Sequence, residues 1–188
     1  MEVKKKNRGR PSHAENKLSA QQILDRVKSL LKEEGKIPSV RRLAKNLSVD
    51  PMAIYHYYVN KKALLEALVI SLMQDIYQPL QNRNWEVELE KLSKSYLELL
   101  STSPGLLEIM LAMNVGGPAS VFNEKFDIVV SRLKLSDDKK QDILNLLIDY
   151  LHGFSLSMSC NPNKDVLPLE QIDNSLTLIT ALMKHEAM

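Results

Sequence analysis

The 188-residue chain lacks the residues from which covalent or metal-bound frameworks are built. It contains one cysteine, Cys160, so neither a disulfide framework nor a cysteine-based zinc site can form within one chain. No apolar run approaches the roughly 18 residues of a membrane-spanning helix. The basic N-terminus, MEVKKKNRGRPS, is not followed by the apolar segment that marks a secretory signal. We therefore expect a cytoplasmic protein with no membrane segment.

Sequence motifs of catalysis are also missing. There is no G-x-S-x-G nucleophile elbow, no phosphate-binding loop, no G-x-G-x-x-G after a strand and no H-E-x-x-H. Asp149 and His152 stand three residues apart on one predicted helix and could bind a metal. No third ligand can be named, so an ion pair at the surface is the favoured interpretation. The sequence therefore predicts no enzyme, no cofactor and no metal site.

Positive charge is concentrated at one end of the chain. Residues 1–62 contain 15 Lys and Arg against 6 Asp and Glu, a net charge of +9, whereas residues 63–188 contain 10 against 17, a net charge of −7. The formal net charge of +2 hides this division. This division predicts an N-terminal part, the head, that binds a polyanion and a C-terminal part, the body, that does not. A basic face that is only solvated would have the same composition.

Residues 39–65 predict two short helices joined by a tight turn, with a third helix starting at Lys61. Ser39 is a suitable N-cap for the first helix, because its hydroxyl can accept from an amide of the first turn. Pro51 suits the first position of the second, which we expect to run from about Asp50 to Tyr58. The spacing of a small residue, a turn residue and an apolar anchor is typical of a helix-turn-helix, and it is supplied by Ala44, Ser48 and Ile54. A helix from Leu18 or Ala20 to Glu34 precedes them.

The same stretch resembles the DNA-binding head of the tetracycline-repressor (TetR) family over residues 19–68. The resemblance rests on R-x-L-A at Arg41–Ala44, Val-x-Pro at Val49–Pro51, Ile-Tyr at Ile54–Tyr55 and Asn-Lys-x-x-Leu at Asn60–Leu64. It departs from the family at Ser48, where the turn usually takes glycine, and at Tyr57 and Tyr58, where His and Phe are frequent. The resemblance implies a DNA-binding head on a divergent helical body.

The second helix of the motif is the predicted reading helix. Its apolar N-terminal residues can contact thymine methyls, and its later polar groups can bond base edges or phosphates. Because it has no Arg or Asn for strong base pairs, we expect a contribution from Arg41 in the preceding helix. The resemblance implies a phosphate contact for the Tyr55 hydroxyl. The DNA-contacting residues predicted here are Ser39, Arg41, Pro51, Met52, Ala53, Tyr55, His56 and Tyr57.

Two further basic elements extend this surface. Arg8 and Arg10 flank a glycine in a polar arm, and such arms can lie in an A·T-rich minor groove, although charge runs are usually only solvated. Lys61 follows the N-cap Asn60, where a lysine opposes the positive end of the helix dipole. A phosphate bound at this helix end would explain that placement, and similar proteins use the matching lysine in this way.

The whole chain predicts an all-α fold in three parts. Residues 1–17 form a basic flexible arm, residues 18–62 the helix-turn-helix domain, and residues 63–188 a helical domain for effector binding and dimerisation. Residues 63–77 form a connecting helix, which continues the helix that starts at Lys61 into the body. Pro79 ends it. The body should contain helices over 85–101, 106–113, 119–133, 136–159 and 169–184.

Two surfaces are predicted in the body. Aromatic and methionine side chains at helical spacing could line an apolar effector pocket, or simply fill the core: Trp85, Tyr96, Met110, Met113, Phe122, Phe126, Phe154 and Met158. The last two helices are apolar enough to form half of a two-fold four-helix interface, or to be buried in a monomeric core. The interface residues predicted from them are Ile143, Leu147, Tyr150, Leu151, Ile172, Leu176, Ile179 and Met183.

The function predicted from these observations is that of a homodimeric, DNA-binding repressor, which a small apolar or amphipathic effector releases from a palindromic operator. An activator or architectural factor without ligand control remains an alternative, and a helical adaptor or enzyme with a basic N-terminus is a more distant one. The salt dependence of duplex binding separates the last from the first two.

Overall fold

The computed structural model describes residues 18–113, 117–161 and 168–187, and it confirms the all-α class. The head contains α1 (Ala20–Glu34), α2 (Val40–Leu47) and α3 (Pro51–Tyr55), and α4 (Lys61–Asp75) leads into the body. The body contains α5 (Trp85–Thr102), α6 (Leu106–Ala112), α7 (Gly117–Val130), α8 (Asp137–Cys160) and α9 (Ile172–Glu186). A single 3-10 turn, Leu169–Gln171, precedes α9. The predicted arm, with Arg8 and Arg10, lies outside the described residues.

The head helices begin and end where their capping residues predict. Ser19 and Gln22 form a reciprocal capping box at the start of α1, and Gly35 ends that helix in a left-handed conformation. Ser48 ends α2 with φ +55°, so it occupies the left-handed position that the turn requires. The Asp50 carboxylate accepts from the Met52 amide and caps α3. Local sequence therefore determines the turn of the helix-turn-helix.

Several predicted helix boundaries differ from the structure; among them, α9 spans Ile172–Glu186 rather than 169–184. The reading helix ends at Tyr55 rather than Tyr58, because the chain turns there to bury the Tyr58 ring. The connecting helix ends at Asp75 rather than Tyr77, since Ile76 is already extended. Helix α7 starts at Gly117, two residues earlier than expected, because proline is well accommodated in a first helical turn. It also ends three residues early, at Val130 rather than Leu133.

Helix α4 connects head and body by packing against both. Toward the head it contacts α1, and toward the body it contacts α6 and α7. Its buried residues therefore lie on more than one face and include Leu64, Leu68, Val69, Leu72 and Met73. Within the body α5 is central and packs against α7, α8 and α9. The described part of the chain contains no helix with the length and apolar character needed to cross a membrane.

Candidate nucleic-acid interface and cavity

The head presents α3 as an exposed, mostly apolar ridge. Ile54 points inward and is fully buried, whereas Met52 is 64% exposed at the start of the helix. His56 and Tyr57 follow on the exposed side, and Val59 at the next turn is 81% exposed. Pro51, Ala53 and Tyr55 are half-buried. Because α3 has only five residues, its exposed groups and the turn after it form a surface small enough to enter a major groove.

The two tyrosines that follow α3 anchor it to α1. The Tyr58 hydroxyl donates to the Ala20 carbonyl at 3.0 Å, and its ring is buried. The Tyr57 hydroxyl donates to the Leu18 carbonyl. Tyr57 therefore uses its hydroxyl inside the head, and only the exposed part of its ring is available to a ligand.

Positive side chains without acidic partners surround this ridge. Within the described part of the head, no carboxylate lies at ion-pair distance from Arg41, Lys45 or Lys61, all of which are exposed. Arg42 differs, since its Nε donates to Glu34 at 2.8 Å. The Ser39 hydroxyl accepts from the Arg42 amide at 3.1 Å and serves as the N-cap of α2. Lys61 begins α4 beside Asn60, whose side chain accepts from Ala63.

A cavity of about 430 Å³ lies in the body between α4, α5, α6, α7 and α8. This volume falls within the range of roughly 300–1,000 Å³ of small-molecule sites. Tyr96, Met110, Met113 and Phe122 line it, as predicted from the sequence. Its other apolar lining includes Met73, Leu111, Leu144 and Ile148. The remaining predicted lining residues, Trp85, Phe126, Phe154 and Met158, do not reach it; Phe126 is fully buried in the core instead.

The polar part of the cavity wall was not predicted as a lining. The Tyr96 hydroxyl and His152 Nε2 are 2.7 Å apart, and Asn123, Gln141, Asn145 and Asp149 also line the space. Burial raises the pKa of Tyr96 and lowers the pKa of His152, the latter against the opposing charge of Asp149. The phenol and a neutral imidazole therefore share one hydrogen bond, whose donor is set by the tautomer of His152.

The expectation of a surface ion pair between Asp149 and His152 is wrong. Both side chains line the cavity, and His152 hydrogen-bonds Tyr96 across the body. Among the described residues, no group of three His, Cys, Asp or Glu side chains is placed to hold a metal ion. The i, i+3 spacing placed Asp149 and His152 on the same helix, but it could not show that α5 supplies the hydrogen-bond partner of His152.

Most of the predicted dimer-interface residues are turned inward. Ile143, Leu147, Leu151, Ile172, Leu176, Ile179 and Met183 are between 0% and 7% exposed within the single chain, so they cannot offer surface to a partner. They hold α8 and α9 against α5. Only Tyr150 keeps part of its surface. The exposed apolar residues of these helices are Leu146 and Leu156 on α8 and Leu178 and Leu182 on α9; with Tyr150 they are called the outer stripe below.

Comparison of the sequence with known proteins identifies a relative of known role. No family model matches the chain. The repressor DrrR1 of Streptomyces coeruleorubidus, an HTH-type transcriptional repressor, is 25% identical over 122 residues. That match covers 63% of this chain but only 45% of DrrR1.

Solved structures match over nearly the whole length. The TetR family protein ActR of Streptomyces coelicolor, in complex with actinorhodin, has a TM-score of 0.73 at 18% identity, covering 92% of this chain and 98% of ActR. BioQ of Mycobacterium smegmatis has a TM-score of 0.72 at 18% identity, covering 90% and 99%. A BioQ structure with its natural double-stranded DNA operator has a TM-score of 0.69 at 19% identity, covering 88% and 98%.

Proposed function

We propose that this chain, which has the fold of the TetR-family regulators, is a cytoplasmic transcriptional repressor that binds a palindromic operator as a homodimer and is released by a small effector. The proposal depends most on one observation. A helix-turn-helix with a capped, left-handed turn at Ser48 presents an exposed α3 next to cations that have no acidic partner among the described residues.

DNA binding follows from the chemistry of this surface. The cations on α2 and at the start of α4 can neutralise phosphates, while Met52 and Ala53 offer apolar contact to thymine methyls. Pro51, Tyr55, His56 and the exposed edge of the Tyr57 ring complete the proposed contact surface. BioQ, which shares the fold, is known with its DNA operator, and DrrR1 is a transcriptional repressor.

Dimerisation would bring together the outer stripes of two copies. The stripe exposes leucines on α8 and α9, two helices that pack against each other, and in the proposed dimer these leucines would share one face. Gly153 lies one helical turn after Tyr150, and a Cβ added there would meet no atom within 4 Å, so a partner helix has space to approach. Two such faces related by a two-fold axis would make a four-helix interface.

The effector would occupy the cavity. Its apolar wall and its few convergent polar groups suit an amphipathic molecule whose polar end bonds Tyr96, His152 or Asn123. ActR has been determined with actinorhodin, which supports a ligand-responsive role for a protein of this fold. An effector releases DNA only if it binds the non-operator conformation more tightly.

Selection of bound sites from a random duplex pool tests the proposal. We expect a palindrome with half-sites about one helical turn, roughly 34–36 Å, apart. Affinity for the selected duplex should fall steeply with salt, because phosphate contacts release counterions. Absence of any enriched sequence together with salt-insensitive retention of the pool would contradict the proposal.

A further inference from the structure

Lys125 on α7 is a buried lysine whose ammonium group lies at the C-terminal end of α4. Its side chain is 4% exposed, and its Nζ lies 3.2 Å from the Ile76 carbonyl and 2.9 Å from Gln78 Oε1. The carbonyls of Gln74 and Tyr77 lie at 3.4 Å. In the described part of the chain, no carboxylate lies at ion-pair distance from it. The ammonium is therefore solvated by the end of α4 instead of by water or an acid.

These contacts are favourable because a helix end leaves carbonyls without partners. The last four carbonyls of a helix have no amide donors within it, and a cation at that end complements the helix dipole. Burial lowers the pKa of Lys125, and the nearby charge of Asp75 opposes that change. A buried ammonium is costly unless it is well hydrogen-bonded, so the position of the α4 end and that of Lys125 depend on each other.

A buried glutamate fixes the segment that follows α4. Glu88 on α5 is 1% exposed, and its Oε2 accepts from the Tyr77 hydroxyl and the Leu80 amide, both at 2.8 Å. Burial alone would raise the pKa of Glu88, but the hydrogen bonds from Leu80, Tyr77 and Lys91 outweigh it and hold the pKa below its usual range. The end of α4 is thus held from α7 and from α5.

Helix α4 also carries the head. Lys28 of α1 bonds Asp75 at 2.6 Å and the Ser71 carbonyl at 3.2 Å, so α1 is joined to the C-terminal part of α4. Lys61 begins α4 at the candidate DNA surface. Fifteen residues span roughly 22 Å at 1.5 Å per residue, so a tilt of a few degrees at the Lys125 end moves the head by roughly 2 Å.

Helix α7 also lines the cavity. Pro118, Ala119, Phe122 and Asn123 form part of its wall, and Lys125 follows two residues after Asn123. A molecule in the cavity therefore presses on the same helix that holds the end of α4.

We infer that Lys125 is a positioning residue for DNA recognition: by holding the end of α4 it fixes the separation of the two heads in the dimer, and it connects the cavity wall to that separation. This inference rests on the proposed function. It assigns to Lys125 a role in the spacing of half-sites, which is distinct from the affinity of one head for its half-site.

The test uses the selected palindrome with its central spacer lengthened or shortened by one and two base pairs. Two base pairs displace a half-site by roughly 7 Å and rotate it about the duplex axis. Wild-type protein should lose about tenfold or more in affinity at that change, whereas Lys125→Met should lose less than about threefold. Lys94→Met is the matched control, because Lys94 bonds Glu90 and Asp173 and does not contact α4.

The outcomes separate the inference from the proposed function. A wild-type spacer profile in folded Lys125→Met, or a wild type equally tolerant of every spacer, overturns the inference and leaves DNA binding intact. Failure of wild-type protein to bind any duplex overturns the proposed function. If Lys125→Met does not fold, Gln78→Ala removes the shortest of the four bonds, and its spacer profile must broaden for the inference to stand.

Discussion

At the scale of single residues, the head surface combines exposed apolar side chains with cations that have no acidic partner in the described part of the chain. Lys61 shows how the position of a charge within a helix can indicate a binding partner. A lysine in the first turn of α4 opposes the helix dipole, and Asn60 already satisfies an amide there. Nothing in the described structure neutralises its charge, and a bound phosphate would do so.

Lys61→Ala should weaken binding about equally for all duplex sequences and lower the slope of log affinity against log salt by about one unit. Fluorescence anisotropy over a range of salt concentrations measures that slope. Lys134→Ala is the control, because Lys134 is exposed on the body and has no ion-pair partner among the described residues. An unchanged slope in Lys61→Ala would remove this residue from the phosphate contacts.

His152 makes stability depend on pH. Because burial lowers its folded-state pKa below 6.5, the unfolded chain takes up a proton first as pH falls. The contribution of the neutral imidazole is therefore complete above 6.5 and is lost as pH falls through the folded-state pKa.

His152→Gln keeps a side chain that can accept from Tyr96 but does not titrate. Urea unfolding at about pH 7.5 and about pH 5.5 should show a larger loss of unfolding free energy in wild-type protein than in the variant. Equal losses would show that protonation of His152 is not linked to folding.

At the scale of elements, local sequence locates helix ends that are capped by a nearby residue, but not those that depend on a tertiary contact. Ser19, Gly35 and Ser39 in the head and Ser136 in the body each cap a helix end in the structure. The end of α4 could not be predicted this way. Its carbonyls are satisfied by Lys125, about fifty positions later, and no local pattern shows that contact.

The turn residue Ser48 gives a direct test of local strain. A left-handed conformation costs a non-glycine residue roughly 1–2 kcal/mol, and glycine loses roughly 0.5–1 kcal/mol more backbone entropy on folding. Ser48→Gly should therefore stabilise the protein by about 0.5–1 kcal/mol in urea unfolding followed by circular dichroism.

Ser29→Gly is the matched control for this change. Ser29 is an exposed residue inside α1, where glycine should destabilise by about 0.5–1 kcal/mol. Destabilisation of both variants to the same extent would show that the Ser48 position carries no strain.

At the scale of the whole molecule, the chain covers one side of α8 and α9 and leaves the other side exposed. Sequence periodicity identified α8 as apolar on more than one face, but it could not decide which faces of α8 and α9 the chain itself covers. The seven residues assigned to a partner are covered by the chain's own α5 side, and the outer stripe is left. Likewise, four of the eight residues predicted from apolar spacing line the cavity, and the prediction missed its polar side, because Asn123 and Gln141 carry no periodic signal.

Leu178→Glu combined with Leu182→Glu should convert a dimer into a folded monomer, since both side chains are exposed on α9 and Leu178 is 73% exposed. Light scattering after size-exclusion chromatography measures the mass. Val59→Glu, at an exposed apolar position on the head, should leave the dimer intact. A dimer that persists in the double variant would place the interface elsewhere.

The central claim is that basic side chains of the head bind duplex phosphates while α3 lies in the major groove. Its most direct measurement is the affinity of the full chain for its selected palindrome, and for a scrambled duplex of equal length, across increasing salt. The account predicts tighter binding of the palindrome and a steep fall with salt for both duplexes. Equal, salt-independent affinities, or no binding of either duplex at low salt, would contradict it.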